Sequence, residues 1–174
     1  MACLLTDGNL ITCDESFALA GGLDTVWIAN SEQITSITDT NADNILDLIT
    51  MVGTSVFYRF DFHRDGAMFT QTQENVEGGI KLKQTLMLTV PNYDQDKADL
   101  LKQLLFAKVV VIAKTRSGRY FILGVGKDST ISFLESEATE MTSGRANSDL
   151  LGTTYTLSGY ASSAAPEFNG VIPV

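Results

Sequence analysis

The chain has 174 residues, 44% of them hydrophobic and 19% charged, and its 21 acidic against 12 basic residues give a formal net charge of −9. That length suits one core-forming domain spanning residues 1–174, and that charge opposes a duplex-binding surface built on many phosphate contacts. Cys3, Cys13 and the single histidine, His63, are too few and too scattered for a disulfide scaffold or a four-ligand zinc site, so the cysteines read as small apolar packing groups.

The opening segment, residues 1–22, is interrupted by Asp7, Asp14 and Glu15 and has no basic stretch ahead of its apolar residues. It therefore reads as neither a leader nor a membrane span, and the chain as a soluble intracellular product. The following "LDTVWIANSEQITSITDT" carries short extended runs with Trp27, Ile28, Ile34 and Ile37 pointing inward. "NADNILDLITMVG" fits either a short helix opened near Asn41 or a strand with a turn.

"TSVFYRFDFHRDG" alternates: Val56, Tyr58, Phe60 and Phe62 project one way, and Phe57, Arg59, Asp61 and His63 the other. "RDG" predicts a turn. Beyond the loop "ENVEGG", the residues Ile80, Leu82, Leu86, Leu88 and Val90 form an apolar row broken by Gln84, with Lys81, Lys83, Thr85 and Thr89 opposite. That is a long amphipathic strand.

After Pro91 the period changes. "DQDKADLLKQLLFA" places Ala98, Leu101, Leu104 and Leu105 on one helical face, with Asp94 and Asp96 near the N-terminus, where they cap donors and complement the dipole. "KVVVIAK" then reads as a buried strand, "TRSGR" as a turn and "YFILGVG" as the returning partner. Gly124 and Gly126 precede Lys127, Asp128 and Ser129, but a phosphate loop needs a different glycine spacing and a helix to follow. Here "TISFLES" reads as another strand, and Asp128 would repel a phosphate.

"ATEMTSGRANSDLLG" reads as a polar loop or partly extended excursion, and "TTYTLSGYAS" returns to alternation through Tyr155 and Leu157. The last stretch, residues 162–174, has no regular period and reads as an arm that orders against a neighbour.

The candidate chemistry is thin. Asp61 and His63 share one side of a strand, as in a carboxylate orienting an imidazole, yet no nucleophile or oxyanion site accompanies them. Asp94, Asp96 and Asp99 lack the central glycine and terminal glutamate of a calcium loop. Glu135 and Glu137 suit glycoside hydrolysis only when opposed across a cleft, and on a strand they share one polar face. Lys81, Lys83, Lys114, Arg116 and Arg119 lie among acids and read as partners in ion pairs between subunits. No catalytic, metal or cofactor residue is assigned.

The order of elements carries a resemblance. A long strand "GGIKLKQTLMLTVPNY", the helix and strand "DKADLLKQLLFAKVVVIAK", the hairpin "SGRYFILG", the polar excursion "EATEMTSGRANSDLLG" and the closing strand "TTYTLSGYAS" follow one another between Val56 and Ala161. This order resembles the tail-tube and head-tail ring proteins of bacterial viruses, particularly tube-like proteins of phages infecting Bacteroidetes. The resemblance implies a mainly β (α+β) fold, a β-sandwich or partly closed barrel with one flanking helix. It implies a non-enzymatic virion protein, assembled in the host cytoplasm, that forms a homo-oligomeric ring or tube, a hexamer or dodecamer. Such a ring sits at the tail or head-tail junction beside other tail or connector proteins, and DNA passes through it without specific binding. Contacts between subunits are then expected at Arg59, Asp61, His63, Arg64, Lys81, Lys83 and Phe168, with residues 1–22 and 162–174 used in assembly. The competing reading is a β-rich module that binds host glycans or mediates adhesion.

Overall fold

The structure, a computed structural model, describes residues 21–41, 45–62, 65–76, 79–91, 95–142 and 152–174. In chain order the elements are β1 (Leu23–Asn30), a 3-10 turn (Ser31–Gln33), β2 (Ile34–Thr38), β3 (Leu48–Met51), β4 (Tyr58–Phe60), β5 (Ala67–Val76) and β6 (Gly79–Pro91). The helix α1 (Gln95–Leu104) follows, then β7 (Val109–Thr115), β8 (Tyr120–Leu123), β9 (Glu135–Thr142), β10 (Gly152–Ala161) and β11 (Glu167–Phe168). The protein is mainly β. Its ladders form a five-stranded sheet ordered β11-β8-β7-β1-β4, a four-stranded sheet ordered β5-β6-β10-β9, and the pair β2-β3. Among the described residues these sheets do not close into a barrel.

The five-stranded sheet is the middle layer, and β7 shows why. Its run "VVVIA" has no polar position, so neither face tolerates water, and Val109 through Ala113 are all buried. Val109, Val111 and Ala113 join Leu86, Leu88, Tyr155 and Leu157 of the four-stranded sheet in one core. Val110 and Ile112 face the opposite way, into a second core with Ile34, Ile37, Ile49, Phe57 and Phe168. Each fully buried side chain of this kind contributes about 1.5–3 kcal/mol relative to exposure.

The C-terminal stretch belongs to that second core, which corrects its reading as an arm awaiting a neighbour. Pro166 O accepts the Ile122 N–H (3.0 Å), Glu167 O accepts the Leu46 N–H (2.9 Å), and Pro173 O accepts the Phe57 N–H (2.7 Å). Phe168 is 2% exposed and Ile172 packs beside it. The chain's own second core therefore orders residues 166–173.

Of the two readings left open for "NADNILDLITMVG", the strand holds: its "LITM" forms β3 (Leu48–Met51). The two rows around β4 project as the alternation expects, with Tyr58, Phe60 and Phe62 on the side of the first core and Phe57 and Arg59 on the side of the second, but coverage along them is uneven: Phe57 is buried and Tyr58 is 57% exposed. Further expectations change. The helix ends at Leu104, which is buried; the turn into β7 rotates Leu105 outward and leaves Phe106 85% exposed. The strand foreseen at "TISFLES" starts only at Glu135 and runs on through "ATEMT", pairing with β10. By contrast, "RDG" does turn at Asp65, whose φ of 65° is one that aspartate tolerates. The opening segment to Ala20, Asp94 and the excursion beyond Thr142 as far as Leu151 lie outside the described residues.

Candidate functional site

The four-stranded sheet covers the core with one face only, so its other face and its margins are what the fold leaves available. β6 sets the pattern by strict alternation. Leu86 and Leu88 point inward with no exposure, and Lys81, Lys83, Thr85, Met87 and Thr89 point out. Register carries the pattern sideways: Thr85 lies between Thr70 of β5 and Ser158 of β10, Met87 between Met68 and Thr156, and Thr89 beside Thr154. The outer face is thus a field of hydroxyls, in which Thr89 Oγ1 and Thr154 Oγ1 stand 3.0 Å apart, with two adjacent methionines.

Part of the charge on this face is tied down within the chain. Between Thr156 and Leu157 the pairing of β10 with β9 slips, leaving Glu137 as the extra residue of a bulge. A bulge re-aims its side chain, and Glu137 accepts from Lys83 Nζ at 2.7 Å across the intervening strand β10. Its hydrogen bonds from Lys83 and then Ser158 hold the Glu137 carboxyl below the usual range, while the bond to Glu137 pushes the Lys83 ammonium up. Tyr160 donates to Glu74 Oε2 at 2.8 Å, and that bond raises the phenol above its ordinary value. Beside the bulge lies a hollow of about 360 Å³ lined by Ser132, Phe133, Glu135, Glu137, Ser158 and Tyr160.

Two backbone devices seat β9 against the core. Gly124 has φ 80° and a would-be Cβ 3.1 Å from the Phe133 backbone, so glycine suits the close pass there. Its N–H is accepted by Oε1 of the fully buried Gln84 at 2.8 Å, the residue that broke the apolar row in the sequence. The "GVG" stretch therefore turns the chain, with Ser132 N–H and Phe133 N–H both bonding Gly124 O. Opposite Gln84, Gly159 lets the Phe133 carbonyl approach where any side chain would collide.

The margins of this sheet are long. β5 has 10 residues and β9 has 8, and among the described residues neither has a ladder partner on its outer side. The margins of the five-stranded sheet are β4, with 3 residues, and β11, with 2. A second open feature is a groove of about 390 Å³ between β1, β4 and the end of α1, lined by Ile28, Tyr58, Phe60, Leu104 and Ala107.

The sequence candidates are not brought together. Arg59 and Asp61 pair with each other at the surface at 2.9 Å. Lys83 is held by Glu137, Lys81 is exposed, and His63 and Arg64 lie outside the described residues. Phe168, expected between subunits, is spent inside the chain. Lys114 and Arg116, also read as partners of another subunit, instead bind Asp24 at 3.2 Å and Asp65 at 2.7 Å within the chain. Both acids are remote in sequence, and no local pattern announces them. Glu135 and Glu137 share a hollow but lie on one strand, not opposed across a cleft. What sequence reasoning missed is the extent and place of β9, which starts only at the end of "TISFLES", runs on through "ATEMT" and makes an acidic margin of Glu135, Glu137 and Glu140.

Among the described residues no group of three or more His, Cys, Asp or Glu is placed to hold a metal ion, and no helix is long and apolar enough to cross a membrane. The sequence matches no protein-family model and no curated protein at a significant level.

Proposed function

We propose that this chain is a virion structural protein whose copies join through the four-stranded sheet into a ring or tube, forming part of a phage tail or head-tail channel. The observation that carries this reading is the pair of long margins, β5 and β9, which among the described residues have no ladder partner on their outer sides. Unpaired margins of that length are an aggregation hazard in a free monomer, and natural proteins rarely leave them without a use. Strand number supports the same reading. An antiparallel sheet with an even count of strands ends on margins of opposite direction, so β9 of one copy meets β5 of a rotated copy antiparallel. That head-to-tail contact closes into a ring when the rotation closes.

The outer face suits a wet lumen. It offers hydroxyls and two lysines among the acids Glu74, Glu135, Glu137 and Glu140, and the chain carries a net charge of −9. DNA passing such a wall meets no cationic stripe to hold it. A hexamer or dodecamer flanked by other tail proteins, placed in the virion and without enzymatic activity, completes the reading.

Mass photometry of the full chain over a concentration series tests it, with Thr72→Pro and Gln73→Pro on β5 as controls. Along a strand one of two successive N–H groups points away from the paired neighbour, so one of these prolines spares the fold and blocks only the outer ladder. We expect closed rings from the unaltered chain and a folded monomer from one proline variant. A monomer at every concentration, or two proline variants that both assemble, overturns the proposal.

The hollow at the Glu137 bulge favours a second reading, a glycan site, because it combines an exposed tyrosine ring with carboxylates and serine hydroxyls. Binding on a glycan array, lost in Tyr160→Ala, with no assembly by the unaltered chain, would select it.

A further inference from the structure

The two open margins differ in charge, and the difference specifies how they meet. β9 carries Glu135, Glu137 and Glu140, whereas β5 carries Glu74 and no lysine or arginine. Pairing β9 with β9 of a second copy sets glutamates against glutamates, which destabilises a ladder. Pairing β5 with β5 leaves every one of those acids unmatched. Only β9 against β5 uses both margins, but β5 itself has no cation to offer.

The cation stands one strand further in. Lys81 of β6 lies on the outer face directly opposite Glu74 of β5, exposed and without an ion pair among the described residues. The Glu74 carboxylate is bonded by the Tyr160 hydroxyl. Glu135 and Glu140, exposed on β9, likewise have no ion-pair partner among the described residues. Within one chain the required reach already exists: Lys83 of β6 crosses β10 and meets Glu137 of β9 at 2.7 Å. That crossing spans two strand spacings, about 10 Å between backbones. In a joined pair of copies, Lys81 faces the same crossing in the other direction, over β5 to the neighbour's β9, with the short Thr72 beside its path.

Resting on the ring reading above, we propose that the seam between copies is charge-coded. Lys81 of one copy spans its own β5 and pairs with Glu135 or Glu140 on β9 of the next copy, and this pair sets the register of the joined strands. Lys83 and Glu137 do the same work inside each copy, so a closed ring carries one type of clasp alternating between chain-internal and chain-external positions. The partner is a second copy of this chain. The acids of β9 keep two free copies from meeting β9 to β9, and the clasp rewards the one productive orientation.

Charge exchange tests the pair. Lys81→Glu, Lys81→Glu with Glu135→Lys, and Lys81→Glu with Glu140→Lys are compared with the unaltered chain by mass photometry, with circular dichroism confirming the fold of each. Lys81→Glu is expected to raise the concentration needed for assembly by roughly tenfold or more, because it sets like charges together. One of the two exchanged variants should return it to within about threefold, since coupled pairs restore what single changes remove. If the unaltered chain forms rings and Lys81→Glu assembles equally well, or neither exchange restores assembly, the clasp is wrong while the ring stands. If the unaltered chain remains monomeric throughout, the ring fails and the clasp with it.

Discussion

The five-stranded and four-stranded sheets are both antiparallel, yet among the described residues one carries core on both faces between short margins and the other carries core on one face between long ones. The first has core on both faces, and its margins β4 and β11 are 3 and 2 residues long. The second has core on one face, hydroxyls on the other, and margins of 10 and 8 residues. Short margins and double coverage leave nothing for another chain to pair with. The difference teaches where to look for function: the five-stranded sheet is scaffold, and what it presents to the outside is the surface and margins of its neighbour.

The sharpest way to break the comparison is to open the doubly covered sheet. Phe168→Ala empties a site that is 2% exposed in the second core, and equilibrium urea unfolding should show a loss of about 3–5 kcal/mol. A change below about 1 kcal/mol would mean that the C-terminal stretch only decorates that core. Next comes the seat of β9. Gly159→Ala drives a methyl group into the Phe133 carbonyl and should cost about 1–3 kcal/mol. The same variant should weaken assembly beyond its effect on folding, because it displaces a margin of the open sheet; equal effects on both would remove β9 from the seam.

The smallest effect belongs to the clasp inside one chain. The folded Glu137 carboxyl titrates below its ordinary value, so its contribution is present above about pH 4.3 and is lost as pH falls through the depressed value. The folded Lys83 ammonium titrates above its ordinary value, so its contribution is present below about pH 10.4 and is lost as pH rises through the raised value. The melting temperature of Glu137→Gln should therefore sit slightly below that of the unaltered chain on a plateau between those limits and converge with it in acid. A gap that persists at low pH would assign the effect to packing.

How far the sequence reveals this molecule depends on whether a segment has something to bury. β6 is legible because its alternation is driven by a core on one side and water on the other, and β7 because "VVVIA" admits no wet face. β9 is not, since "ESEATEMT" lies at a margin with nearly all of its side chains exposed and so has no period to impose. The C-terminal stretch fails for the opposite reason. Its burying is done by Phe168 with Pro166 and the half-buried Ile172, too few positions at too irregular a spacing to make a pattern. At β4 the sequence shows which side chains share a side but not which of them is covered: Phe57 lies over the second core and is buried, whereas Tyr58, on the other side of a marginal strand, is 57% exposed. Among the candidate contacts, the lysines of β6 were legible as one outward row; that Lys83 is clasped, while Lys81 has no ion pair among the described residues, follows from a bulge on a strand 54 residues away.

The second core also governs the timing of folding. It joins Ala29 and Ile34 near one end of the chain to Phe168 and Ile172 near the other, so its loop closure spans most of the sequence and belongs among the slow steps. The hairpin of β5 and β6 is local by contrast and is expected to form early. On that order β5, one of the long margins, is expected to form before the five-stranded scaffold is finished, and the glutamates along β9 are the kind of charge that guards an unpaired margin against other chains.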